Sequence, residues 1–385
     1  MKRYRGIFAL ILFGTGLLVG AVGAADAPQD AAIKQLLAVG PDAAGADKAQ
    51  KAVDALVAAG PKALPAILAA IPADDVVRAN WLRAAFNRIV DDAVREKKPI
   101  PTDELSAFVN DKTKPGRSRR LALEAVEKVA PGTTTKVIDA GLNDPEFGAD
   151  AVAVRMGKAA AVEKADPAAA AKLYREAFDA ARDFNQCLAL AQRLKALDVA
   201  VDPLARLGVV RDWMVLGPFD DPDEKGYATA FPPENAIDRT ATYAGKDGKI
   251  AWKSFTSEAP DGRIDLTKAV APSDGAVAYA YVVVNSPKDQ EVELRASGDD
   301  NLAVWVNGTK VIDHPTYRSH LRIDWHRAKA KLKAGENAIL VKVCQCPAPK
   351  EKAPGPPAKW EFHLRVVDPE GRGVSFPVAV PAPKK

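Results

Sequence analysis

The strongest constraint on this chain is a change of hydrophobic period near Leu207-Gly208. Upstream, alanine is abundant and apolar residues recur at helical spacing, as in Ala49, Val53, Leu56 and Val57. Downstream, alanine falls, aromatic, glycine and β-branched residues rise, and apolar residues alternate with polar ones. One layer cannot serve both patterns, because a helix buries a stripe whereas a strand buries every second residue. The chain has 385 residues, enough for two cores. The expectation is a multidomain α plus β protein, with an α-helical domain over 25–207 and an antiparallel β-sandwich over 208–380.

The upstream half is punctuated by helix signals. Gly60-Pro61 stops one helix and starts another, with proline in a first turn where its missing N–H costs nothing. Asp74-Asp75, Thr102-Asp103-Glu104, Asp144-Pro145-Glu146 and Asp166-Pro167 read as helix starts. The paired helices resemble HEAT repeats at Ala52-Leu56-Gly60-Leu64-Pro65-Ile67-Leu68 and a tetratricopeptide pair from Ala170 to Leu194. A repeat array and an irregular helical domain both require each pair to stack its apolar face on a neighbour. The basic run Lys112-Lys114-Arg117-Arg119-Arg120 reads as a solvated loop and helix edge rather than an anion patch.

Downstream, Tyr279 to Val284 is a nearly continuous apolar run, as in a strand buried in a core. Val292 and Leu294 alternate with Glu291, Glu293 and Arg295, and Trp360, Phe362, Leu364 and Val366 alternate with Glu361, His363 and Arg365. Leu302 to Val306, then Asn307-Gly308, then Val311-Ile312 predicts a hairpin whose tight turn needs positive φ at both central residues. These short strands and turns predict two stacked sheets.

One ordered set of motifs runs through this half. It comprises Trp213, Gly217-Pro218-Phe219, Phe231-Pro232-Pro233-Glu234, Trp252, Tyr279-Ala280-Tyr281, Ser297-Gly298-Asp299-Asp300, Trp305-Val306-Asn307-Gly308, Leu332 to Asn337, and Leu340-Val341-Lys342-Val343. In this order the chain resembles the galactose-binding-like jelly-roll module found beside helical repeats in exported bacterial proteins. That module is related to the sugar-binding domains that accompany family 2 glycosidases. The resemblance implies a jelly roll with an accessory, binding role. The proline-rich loop 347–359 departs from the shorter hairpin of that family.

Residues 1–24 read as a signal peptide: Lys2, Arg3 and Arg5, an apolar core from Gly6 to Gly20, then small residues through Ala25. No cysteine stands at the cleavage site, so a lipoprotein anchor is not indicated, and the expected location is secreted or periplasmic. After signal cleavage no membrane span is expected. A net charge of +4 spread over many acids and bases argues no nucleic-acid partner. Three cysteines, Cys187, Cys344 and Cys346, do not make a disulfide scaffold. Cys344 and Cys346 pair only through a strained short ring, and a metal site at them needs further ligands.

Asp299-Asp300 is the sharpest chemical candidate. Adjacent carboxylates suit a hard cation such as calcium, and the pair resembles the acidic doublet of PA14-type lectin modules, where it holds calcium against sugar hydroxyls. The plainer reading is a pair of turn-capping carboxylates. His314, His320 and His326 are interleaved with Arg318, Arg322 and Arg327, and read as a polar edge rather than a metal site. Tyr317, Arg318 and Trp325 are candidates to line a sugar groove, since aromatic faces stack on sugars and arginine donates to hydroxyls. No nucleophile elbow, P-loop, dinucleotide fingerprint or zinc-protease motif occurs. The expected function is non-catalytic binding of carbohydrate or of a protein partner in the cell envelope. The alternatives are a polysaccharide hydrolase with its site near Trp213 to Asp221, at the domain junction, and a purely structural envelope protein.

Overall fold

A computed structural model describes residues 28–40, 44–317, 319–347 and 359–377. The expected signal peptide 1–24, Arg318 and most of the proline-rich loop 347–359 lie outside the described residues. Two compact units divide the chain between Pro131 and Gly132. The change of hydrophobic period therefore falls inside the second unit.

The first unit contains α1 (Pro28–Leu37), α2 (Ala46–Ala59), α3 (Leu64–Ala70), α4 (Val76–Arg95), α5 (Thr102–Asn110) and α6 (Gly116–Val129). Its starts follow the expected chemistry: Asp75 caps α4 by accepting from the Arg78 N–H at 2.9 Å, and Pro65 lies in the first turn of α3. Helix α2 packs on α1 and α4, and α5 on α6, burying Leu56, Leu64, Ile67, Leu82, Phe86 and Leu105. One member of the basic run departs from the solvated reading. Arg119 is buried and donates to the Val109 carbonyl at 2.7 Å.

The second unit opens with α7 (Thr133–Ala140), α8 (Gly148–Val162), α9 (Pro167–Ala180), α10 (Phe184–Ala196) and α11 (Pro203–Leu207). Asp166, Asp183 and Asp202 cap the last three of these. Gly208, at φ 71°, then turns helix into strand. A side chain there would strike the Val366 carbonyl at 2.1 Å, so glycine is obligatory.

The strands are β1 (Asp212–Asp220), β2 (Thr242–Gly245), β3 (Gly248–Ala251), β4 (Lys253–Thr256), β5 (Ile264–Asp265), β6 (Ala276–Ser286), β7 (Gln290–Asp299), β8 (Leu302–Val306), β9 (Thr309–His314), β10 (His326–Leu332), β11 (Gly335–Gln345) and β12 (Glu361–Val367). Short helices α12 (Pro232–Asn235) and α13 (Leu266–Ala269) interrupt them. Two sheets, ordered β4-β1-β6-β11-β8-β9 and β10-β7-β12-β5, share one core, and β2-β3 form a separate ribbon. Every pairing is antiparallel. Tyr279 to Val284 lies in β6, inside the six-stranded sheet, and Asn307-Gly308 turns β8 into β9 with φ of 50° and 80°. Trp213, Val215, Val282, Val304 and Val341 meet Leu294, Ala296, Phe362 and Leu364 in the sandwich core.

Both sheets are also covered on an outer face. The segment between β1 and β4 lies over Leu216, Phe219, Tyr279 and Leu340 of the six-stranded sheet. The alternation in β12 predicts a polar face, yet all its residues from Glu361 to Val367 are buried. The reason is the cover over it: Phe184 of α10 packs edge-on against His363 at 5.2 Å, and Asp324 pairs with Arg365. Among the described residues no single helix is long and apolar enough to cross a membrane.

Candidate carbohydrate-binding rim

At one end of the sandwich the β7–β8 corner, the β9–β10 connection and the β11–β12 ends converge. Asp299 ends β7 and stands opposite Glu361 in the ladder with β12. Two side chains fasten the corner: the Asp300 carboxylate accepts from the Cys346 N–H at 2.6 Å, and the Asn301 carbonyl accepts from the Cys344 N–H at 3.0 Å. The Ser319 hydroxyl donates to the Asp300 carbonyl. A pocket of about 670 Å³ opens here, lined by Arg263, Asp299, Asp300, His320, Leu321, Cys346, Lys359 and Glu361.

The two facing acids in this pocket are not equivalent. Glu361 pairs with Arg263 at 2.8 Å and with Lys359 at 3.9 Å. The Asp299 carboxylate, though 8 % exposed, accepts no hydrogen bond from the described residues. Burial first, then repulsion from Asp300, pushes its pKa up to about 6. Calcium needs six to eight oxygen ligands. Here one carboxylate of the doublet is already committed to a backbone N–H. Among the described residues no group of three or more His, Cys, Asp or Glu side chains is placed to hold a metal ion.

Trp325 forms a second feature of the same connection. It is 43 % exposed. Its ring lies parallel to that of His326, at 4° and 5.6 Å between centroids, and the Arg322 guanidinium sits 4.5 Å from its centroid. His314 and His326, from the ends of β9 and β10, come within 4.2 Å of each other. Burial lowers the pKa of both, and the His314 Nε2 is buried without a partner. His320 lies instead in the pocket.

Tyr317 is placed differently from the other candidates. Its hydroxyl donates to Asp221 at 2.7 Å and accepts from the Tyr227 N–H at 3.1 Å. It packs with the segment that covers the six-stranded sheet rather than facing a groove. Trp213, part of the stretch named for a hydrolase site, is wholly buried in the sandwich core. Cys187, Cys344 and Cys346 form no disulfide with one another.

Sequence reasoning missed a second charged cluster on the covered face. Lys342 is 1 % exposed, and its ammonium donates to the Tyr227 and Thr229 carbonyls at 3.0 and 2.7 Å and to Glu234 at 2.7 Å. The rings of Tyr227, Phe231 and Tyr279 surround it at 5.9, 5.4 and 5.7 Å. A lysine inside the apolar run Leu340-Val341-Lys342-Val343 was the available signal.

No family model matches the chain, and no curated protein matches it. Among solved structures it is similar to an anti-sigma factor domain-containing protein at 14% identity, covering 43% of this chain and 46% of that one, with a TM-score of 0.26. A second such protein, from Clostridium clariflavum, shows 14% identity, coverage of 45% and 49%, and a TM-score of 0.24. The beta-glucosidase of Kluyveromyces marxianus shows 9% identity, coverage of 73% and 36%, and a TM-score of 0.27. The chain spans less than half the length of each. Likeness at this level defines neither a family nor a function.

Proposed function

We propose that this protein is an exported, non-catalytic carbohydrate-binding protein. Its jelly-roll-like sandwich presents the rim to a glycan, and its HEAT- or tetratricopeptide-like helices serve as scaffold or docking surface in the cell envelope. The observation that carries the reading is the Asp299 carboxylate, unmet in a pocket on the connection that also exposes Trp325. Sugar hydroxyls supply the donors that a carboxylate lacks, and the apolar face of a pyranose stacks on an indole. Export is supported by the basic start and apolar core of residues 1–24.

A glycan array followed by calorimetry tests this. The expected result is binding that weakens about tenfold or more in Trp325→Ala and in Asp299→Asn, with an unchanged melting temperature for the exposed Trp325 variant. Failure of the native protein to bind any glycan overturns it. One observation favours a hydrolase instead: Asp299, its pKa raised by burial and by Asp300, stands across the ladder from Glu361, and two neighbouring carboxyls can divide acid and base roles. Hydrolysis of a polysaccharide panel that disappears in Asp299→Asn while binding persists selects that second reading.

A further inference from the structure

The carbohydrate-binding reading leaves the charge on β10 without a purpose. This strand is the edge of the four-stranded sheet. Ala330 and Leu332 are buried while Arg327, Lys329 and Lys331 are exposed at two-residue steps, with Lys333 exposed just beyond. Alternate residues of a strand stand about 6.8 Å apart, so the cations form a regular row.

The neighbouring strand neutralises this row only in part. Lys329 stands opposite Glu293 in the ladder. Glu293, however, is taken by Arg295 at 2.6 Å. Arg327 and Lys329 have no carboxylate within ion-pair distance among the described residues. Lys331 has only the exposed Glu291, at 3.9 Å. Beside the row runs a trough of two adjoining pockets, about 470 and 610 Å³, where Val306, Val311 and Ala330 stand beside Lys329 and Lys331, with Glu291 and Asp289 also in the lining. Edge lysines alone would serve to prevent strand pairing. That purpose explains neither the trough nor the exposed Trp325 and Arg322 at the head of the strand.

We propose that this edge binds an acidic polysaccharide, a polymer of uronic acids, with Trp325 stacking on one sugar and the β10 cations meeting carboxylates along the chain. The inference rests on the carbohydrate-binding reading and narrows it to a substrate class. A polymer repeats a ring and a carboxylate at intervals, and the edge repeats a cation beside apolar side chains. The contacts are exposed, so binding depends on salt.

The test is calorimetry of the full chain with de-esterified polygalacturonate and with the same polymer fully methyl-esterified, which keeps the rings and removes the charge. The expected result is affinity at least about tenfold higher for the acid form. That advantage falls as salt rises from about 50 to about 300 mM, and it disappears in Lys329→Glu/Lys331→Glu. Both lysines are exposed, and an unchanged melting temperature shows that the variant folds. Equal binding of both polymers overturns this inference and leaves the carbohydrate reading standing. So does binding of neutral glycans alone. Equal or tighter binding of polyglutamate, with the same dependence on Lys329 and Lys331, assigns the edge to acidic peptides and overturns it. Failure to bind any glycan overturns both.

Discussion

Lys342 and Asp299, two buried charges in one sandwich, meet opposite environments. All three ammonium protons of Lys342 have acceptors, and every acceptor comes from the segment between β1 and β4. Asp299 has a pocket in front of it and accepts no hydrogen bond from the described residues, although His320 and Lys359 stand near enough to offset part of its burial. Burial alone does not mark a site. A buried charge whose hydrogen-bonding capacity is filled belongs to the fold, and one left unfilled beside an opening is available to a ligand. The contrast makes Lys342 a structural clamp and Asp299 the group to test for binding.

The largest expected effect breaks the comparison from the filled side. Glu234→Ala strands the Lys342 ammonium among aromatic rings, and urea denaturation should show a loss of about 3–5 kcal/mol. Lys342→Met in the same background removes the stranded charge and should recover most of that loss. If Glu234→Ala costs no more than an ordinary surface substitution, Lys342 finds other acceptors and the clamp reading fails.

The next effect concerns a third buried group, on the four-stranded sheet that also carries Asp299. His363 is wholly buried, neither ring nitrogen has a hydrogen-bond partner among the described residues, and burial lowers its pKa from 6.5 to about 4. Between these values the unfolded chain binds a proton that the folded chain does not. Its contribution is complete above about pH 6.5 and is lost as pH falls toward about 4. Stability should drop by up to ~3 kcal/mol over that window, and His363→Phe should flatten this part of the profile. A wild-type profile no steeper than that of the variant would show that His363 protonates without cost.

What was legible in the sequence was local. Asp75 and Asp166 cap helices through N–H groups three residues on. The Asn307-Gly308 turn and the apolar run of β6 also depend on near neighbours. What was hidden was long-range. Lys342 and Glu234 are 108 residues apart, and Tyr317 and Asp221 are 96 apart. No spacing rule connects such pairs. The polar residues of β12 alternate as an exposed face would, and they are buried because distant residues cover them: Phe184 of α10 on His363, Asp324 on Arg365 and Arg263 on Glu361. For the rim, Asp299-Asp300 stood out as a doublet, but Glu361 joined it through sheet register alone.

The smallest expected effect sharpens the comparison from the unfilled side. The pKa of Asp299 is raised from 3.8 to about 6, so over that interval the folded chain holds a proton that the unfolded chain has released. The sign is therefore opposite to that for His363: stability falls as pH rises from about 4 to about 6. Asp299→Asn removes this penalty and should stabilise the free protein at pH 7 by ~1 kcal/mol, after allowance for screening at a partly open site. Guanidinium melts at pH 4 and pH 7 measure it, since the gain should be absent at the lower pH. Stabilisation together with weakened glycan binding is the signature of a group kept for a ligand at the expense of the fold. If Asp299→Asn is instead destabilising at pH 7, the carboxylate is already satisfied in the free protein, and the contrast with Lys342 disappears.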